Sequence, residues 1–504
     1  MENFRLLLAV AFACGCGKAA STSSPDLTTP TTVTADAAVQ GDTIFDPFSP
    51  LPDTSEGLTN LSNDLSALLE NGALADACTH YFGGQTDRKT MLLCGKSMFF
   101  DQPFGTAGLP APIAKYFAAN FPDQLGLGFS KLGMIEDPRS ADHLPLGLAP
   151  TTPTGSLANV AFTCASCHMT QLSDGRYSIG TPNHRWQYGK EILTVAVVPG
   201  IALGSSMASA HDPAAVALVQ PILDAINANL LLKAQLVSTV ISLASGASSG
   251  GASSAPAMST ENEHYYATWF PGTMDFIIQP LPYDDHVLTI SKMLGIWDQP
   301  MDAEVQSSGM MNAMLAWTGD AHSLTAFINE FVVIGAGDVA SWPVEKLQPL
   351  IEYVYSLRSP ANPNPPPANQ VAAGRKIFAD SGCLSCHDGP RGSGKQLYDY
   401  SEIGTDSQMQ YWLDSTGTAT PCCGFTLIDG VSLNHQVKSP RLTGLWTLQR
   451  FLHNGSVASL EDLLCENGPR GDVTALAYGN GGHSFGCNLS SDDKASLIAY
   501  LRAH

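Results

Sequence analysis

CASCH at residues 164–168 and CLSCH at residues 383–387 repeat one pattern, Cys-x-x-Cys-His, which is the attachment signal for a covalently bound c-type haem. The chemistry needs this spacing. Two intervening residues let both sulfurs reach one edge of the macrocycle as thioethers, and the next residue turns its imidazole under the iron. Cys164, Cys167, Cys383 and Cys386 are therefore the expected thioether donors, with His168 and His387 as the expected proximal iron ligands. The competing reading is a Cys₄ zinc site, since paired Cys-x-x-Cys knuckles also bind zinc. Such knuckles are usually about 15–20 residues apart. These lie in different halves of the chain, and a histidine follows each, so two haems are the expectation.

The N-terminus, MENFRLLLAVAFACGCGK, joins Arg5 to a short apolar run ending in small residues and two cysteines. Residues 1–16 read as a secretory signal of lipoprotein type, with Cys14 or Cys16 as the lipid-bearing residue, because the run falls short of the roughly 20 apolar residues that span a bilayer. The expectation is an exported protein of the periplasm, outer membrane or cell surface, touching a membrane only through that anchor. Residues 17–75 begin with a Ser/Thr/Pro/Asp-rich stretch, too poor in large apolar groups to offset ordering entropy, and are expected to form a disordered tether. The apolar run at 223–245 is interrupted by Asp224, Asn227, Asn229, Lys233 and Gln235, so it reads as a buried or amphipathic helix.

The 504 residues are 44% hydrophobic, enough for two or three domains with their own cores. A formal charge of −21 argues against nucleic acid, whose backbone is bound through Lys and Arg. It suits a small cationic redox partner or electron donor, and equally an acidic, solvated surface with no partner. Of the cysteines outside the signal and the haem motifs, Cys78 with Cys94 and Cys465 with Cys487 are the expected disulfides by proximity, leaving Cys422 and Cys423 as a vicinal bridge or free thiols.

SPANPNPPPANQ at 359–370 cannot continue a helix and divides an N-terminal haem domain, 76–358, from a C-terminal cytochrome c domain, 371–504. Before it, Leu347, Leu350, Ile351, Val354 and Leu357 mark one helical face; at the C-terminus, Ser490 or Ser491 caps a helix carrying Leu497, Ile498 and Leu501. LIEYVYSL at 350–357 and LIAYLRAH at 497–504 look like one element used twice. The expected fold is mainly α, with two cytochrome c-like haem domains, the first enlarged by insertions that include a Ser/Gly loop at 245–257.

LPLGL at 144–148, WTGDAHSL at 317–324, SPRLTGLWTLQRFLHNGSVASLEDLL at 439–464 and GGHSFG at 481–486 carry a family resemblance. Residues 95–504 resemble the di-haem cytochrome c peroxidase superfamily, which includes methylamine dehydrogenase maturation enzymes and bacterial rubber oxygenases. The resemblance implies a reactive N-terminal haem, an electron-transfer C-terminal haem and a tryptophan between them, which maps to Trp317. Two departures stand out. Thr318 replaces the usual aspartate after that tryptophan, and VVIGAGD at 332–338 lacks the peroxidases' proton-handling glutamate. Asp338 and Glu330 are nearby carboxylates, expected as solvated groups. The Gly-rich pattern looks nearest the rubber-oxygenase branch, whose reactive haem binds dioxygen in an apolar pocket.

For the second haem's sixth ligand, Met409, His435, His453, His483 and His504 are available. His483 is the choice: it sits in a Gly-flanked loop before the last helix and resembles the family's C-terminal ligand loop. His453 is expected to order the region between the domains. No distal ligand is singled out for the first haem among His184, His211, His264, His286 and His322. The chain is expected to be a di-haem oxidoreductase activating dioxygen or hydrogen peroxide at its first haem. The alternative is an electron carrier with two six-coordinate irons.

Overall fold

The computed structural model describes Phe48 and residues 51–106, 108–154, 157–199, 211–246, 260–275, 289–301, 304–305, 307, 315–334, 337–411, 435–471 and 479–504. The signal and its cysteines, the 245–257 loop beyond Gly246, His286, and Cys422 and Cys423 lie outside these residues. The fold is mainly α, with short two- and three-stranded antiparallel sheets.

Two helix pairs frame the attachment motifs. Arg88–Asp101 crosses Val344–Ser356, and Ala368–Asp380 crosses Ser491–Arg502. Each crossing turns on a glycine. A Cβ on Gly95 would lie 2.0 Å from the Pro349 carbonyl oxygen and 2.6 Å from Tyr353 Cβ; one on Gly374 would lie 2.0 Å from the Ser496 oxygen and 2.7 Å from Tyr500 Cβ. Four residues after each glycine, one helical turn on, comes a phenylalanine. Phe99 meets Tyr353 at 5.9 Å and Phe378 meets Tyr500 at 5.5 Å between ring centroids. The repeated Leu-Ile-x-Tyr segments thus occupy equivalent places in two Gly-x-x-x-Phe crossings. The apolar face 347–357 is buried throughout, and Ser490 is the cap that forms, its Oγ accepting from Asp493 N at 3.2 Å.

Both expected disulfides are present, Cys78–Cys94 and Cys465–Cys487. Residues 58–74, expected within the disordered tether, are folded. Leu58, Leu68, Leu69 and Leu74 enter the core, Leu61–Ser62 pairs with Tyr177–Ile179, and the buried Lys96 ammonium donates to Thr59 O and Glu70, each at 2.6 Å. Sparse leucines suffice here because an existing core receives them. The Pro-rich linker is also pinned: Asn362 donates to Arg502 O at 2.9 Å and Trp446 to Pro360 O at 2.7 Å. Its last residues already belong to the helix that begins at Ala368.

The 223–245 run is not one helix. Asn229 ends Pro213–Ala228 in an extended conformation and caps Leu230–Gly246, its Oδ1 accepting from Leu231 N and Leu232 N at 3.0 and 3.3 Å. The two helices bend by 104°, and no single described helix is long and apolar enough to cross a membrane.

Candidate functional site

CASCH is one short helix, Cys164–His168. Gly147, at φ +86°, brings its carbonyl to Thr163 N at 2.8 Å and Ser166 Oγ at 2.6 Å, an approach that leaves no room for a Cβ. Thr163 Oγ1 donates to Phe100 O at 3.0 Å, tying the motif to the first crossing. Burial pushes the Cys164 and Cys167 thiols up to about 12. Among the described residues no three His, Cys, Asp or Glu side chains gather to hold a metal ion.

Both motif histidines present the same face. His168 Nδ1 lies 3.1 Å from Leu294 O and His387 Nδ1 lies 2.5 Å from Gly392 O. A carbonyl fixes Nδ1 as the donor, which leaves Nε2 as a lone-pair donor for a metal. Burial lowers both imidazole pKa values, that of His168 to about 4. These histidines, Cys167, Cys383, Cys386, Trp317 and His483 line one continuous cavity of about 280 Å³, walled mainly by leucine, phenylalanine, methionine and tryptophan side chains. One water needs only about 10–15 Å³. Three of the four motif cysteines and both motif imidazoles, each held through Nδ1 by a carbonyl, face this one apolar space, a donor set that fits covalently held haem. Cys164 does not line this cavity.

His483 reaches the cavity through a constrained loop. Its φ is +44°, its N–H donates to Ile403 O at 2.8 Å, and Arg470 donates to the carbonyls of Asn480, Gly482 and His483. A Cβ on Gly482 would sit 2.3 Å from Gly404 O. The imidazole is half-buried, its Nδ1 is buried with no partner among the described residues, and burial, then the nearby His387, lowers its pKa to about 4. Two half-buried imidazoles lining one space could both serve as ligands of one iron. His453 lies between the halves, ring to ring with Trp317 at 6.4 Å and Tyr400 at 5.7 Å, its carbonyl accepting from Lys292 N at 2.6 Å. His435 Nδ1 lies 2.6 Å from Gln410 O, and His504 stacks on Phe48. Buried Met409 lines the cavity beside Trp317 and Tyr400.

Trp317 is 6% exposed; its Nε1 donates to Lys292 O at 2.8 Å and its carbonyl accepts from Lys438 N at 2.8 Å. The Thr318 hydroxyl donates to the Asp320 carboxylate. Asp338 is exposed and caps a turn through Ala340 N at 3.0 Å, as expected of a loop carboxylate. Glu330 differs. It is 1% exposed on the Leu324–Ile334 helix, where Leu324, Phe327, Glu330 and Phe331 share the cavity-facing side, and neither carboxyl oxygen has a partner among the described residues. Burial, then Asp320, raises its pKa well above the usual carboxylate range. Sequence reading missed this burial, although an acid inside LTAFINEFVVI was the available signal.

Among the first-haem histidines, His184 stands apart: 6% exposed, both ring nitrogens unbonded, its pKa lowered by burial to about 4. His264 pairs with Asp212 at 3.1 Å, His211 is exposed, and His322 is half-buried.

No family model matches the chain, and no curated protein matches it. Among solved structures, hydrazine synthase of Kuenenia stuttgartiensis, studied under xenon pressure, is similar at 18% identity over 48% of this chain and 79% of that one, with a TM-score of 0.26. A superposition that loose carries no argument about this chain's activity.

Proposed function

We propose that the chain is an exported di-haem c-type oxidoreductase whose first haem, held by Cys164, Cys167 and His168, activates hydrogen peroxide or dioxygen, and whose second haem, held by Cys383, Cys386, His387 and His483, passes electrons. The observation that carries the proposal is the single apolar cavity joining both motifs, with each proximal imidazole oriented by a backbone carbonyl. A bound haem supplies one-electron and oxygen chemistry at its iron. The chain's own residues supply the rest. Leucine and phenylalanine walls exclude water, and Trp317, held at both its Nε1 and its carbonyl, bridges the two sites. Glu330 holds a proton that an apolar wall keeps on its carboxyl, and can donate it toward a reacting oxygen. The di-haem superfamily resemblance and the two-domain division at 359–370 belong to the same proposal.

The test is incubation of reduced and as-isolated protein with peroxide, oxygen and polyisoprene, following both haem spectra and products, alongside Glu330→Gln. Expected are two haem adducts by mass and a reaction at one haem. The reaction should slow roughly 10²–10⁴-fold in the variant, the usual contribution of a positioned acid or base. Two inert, low-spin haems under every condition would instead establish the electron-carrier reading.

A further inference from the structure

Lys292 brings a buried positive charge to the cavity, with no carboxylate among the described residues to meet it. It ends the strand Ile290–Lys292, is 7% exposed, and is pinned by its backbone: its N–H donates to His453 O at 2.6 Å and its carbonyl accepts from Trp317 Nε1 at 2.8 Å. Lys292 is one of the residues lining the cavity, and its Nζ lies 5.4 Å from the Trp317 ring centroid. Burial lowers its pKa to about 8, with no described carboxylate acting against that. Arg441 lines the same space but is already met, its terminal nitrogens donating to Gln299 Oε1 at 2.9 Å and Gly295 O at 2.6 Å and the buried Asp298 carboxylate acting on its charge. A buried cation is tolerated when it is paired, so this wall is built to receive an anion.

We propose that Lys292 makes a carboxylate-binding pocket in the cavity that both attachment motifs line, and that its ligand is a propionate carboxylate of a bound haem. The inference rests on the haem reading above. Haem carries its propionates on the edge away from the vinyl groups, so thioethers at a Cys-x-x-Cys loop send the carboxylates away from that loop. An ammonium there neutralises one and favours the reduced, more electron-rich haem. A free carboxylate from solution has the same chemistry, and the experiment separates the two sources.

The experiment compares the holoprotein with Lys292→Met and Lys292→Arg by spectroelectrochemical titration, with haem adducts counted by mass spectrometry. Lys292→Met should keep two adducts and lower the midpoint potential of at least one haem, by about 59 mV for a tenfold shift in a one-electron equilibrium. Lys292→Arg should restore most of the shift. Two adducts with both potentials unchanged in Lys292→Met overturn this inference alone; fewer than two adducts in the parent protein overturn the haem reading beneath it. Titrating the dialysed parent with acetate at constant ionic strength should leave both potentials in place, and dependence on acetate overturns the haem carboxylate as ligand. Should Lys292→Met fail to accumulate, resonance Raman of the parent decides: a propionate-bending band shifted by hydrogen bonding supports the pocket, and bands all at the unbonded frequency overturn it.

Discussion

Replacing Gly374 by alanine sets two effects of opposite sign against each other. In a solvent-exposed helix interior the change stabilises by about 1 kcal/mol, because glycine loses more backbone freedom on folding. At this crossing the new Cβ would lie 2.0 Å from Ser496 O, about 1 Å inside the 3.0 Å that real Cβ contacts respect, and the obstacle is backbone that cannot rotate away. The Ala368–Asp380 and Ser491–Arg502 helices must separate by a comparable distance, which loosens the contact of Phe378 with Tyr500 and gives up a quarter to a half of the dispersion at the interface. Overpacking of this kind costs about 1–3 kcal/mol or more. The clash wins, and a net loss of roughly 2 kcal/mol is expected. Thermal or denaturant unfolding followed at the haem absorption reads it, and Gly95→Ala should behave alike because its contact is equally close. A Gly374→Ala protein as stable as its parent, or more so, would refute the crossing geometry.

His483→Ala should convert one haem, and only one, from low to high spin in absorption and paramagnetic-resonance spectra while both stay covalently attached; two unaltered low-spin signals would exclude His483 as a ligand. Changing Cys465 and Cys487 together to serine opens a loop with a sequence separation of 22, and chain-entropy arguments give a loss of about 3 kcal/mol. The same variant should broaden the second haem's spectrum, since the bridge closes the loop bearing His483. Glu191 is buried, accepts from Trp186 Nε1 at 2.5 Å, and has its pKa raised by burial from 4.5 to about 7. The folded chain then keeps a proton that the unfolded chain releases, so this group's stabilisation is complete below about pH 4.5 and falls by about 3 kcal/mol as the pH rises to about 7. Glu191→Gln should lose that slope and exceed the parent in stability at pH 8; parallel pH profiles would contradict the assignment.

What could be read in advance was whatever one residue type at one spacing dictates. The two Cys-x-x-Cys-His motifs, the apolar face from Leu347 to Leu357, the Ser490 cap and the two short-range disulfides are of that kind, and so was the mainly α class. The missed features depend on what lies across the fold. Gly95 and Gly374 are ordinary helix glycines until a second helix touches them. Asn229 looks like one polar residue in an apolar run, yet its side chain accepts from the amides two and three residues on and starts a new helix. Leu58, Leu68 and Leu74 are too sparse to signal a core, and they join one made by other segments. Glu330 and Lys292 illustrate the same limit for the candidate site, because a charged residue in a sequence carries no sign of whether its environment is water or a cavity wall.

The strand that carries Lys292 has a consequence in time. The carbonyl orienting His168 belongs to Leu294, 126 residues further along the chain. The same short segment is held from the other half, through Lys292 N to His453 O, Trp297 Nε1 to Thr443 O and Gly295 O to Arg441. During synthesis CASCH therefore emerges long before the group that orients its histidine, and that group is secured only after the residues around 441–453 have followed. On the proposed haem reading, a haem joined early to the first motif would meet an imidazole still free to turn, and truncation between His168 and His453 should leave a haem that is attached but not aligned.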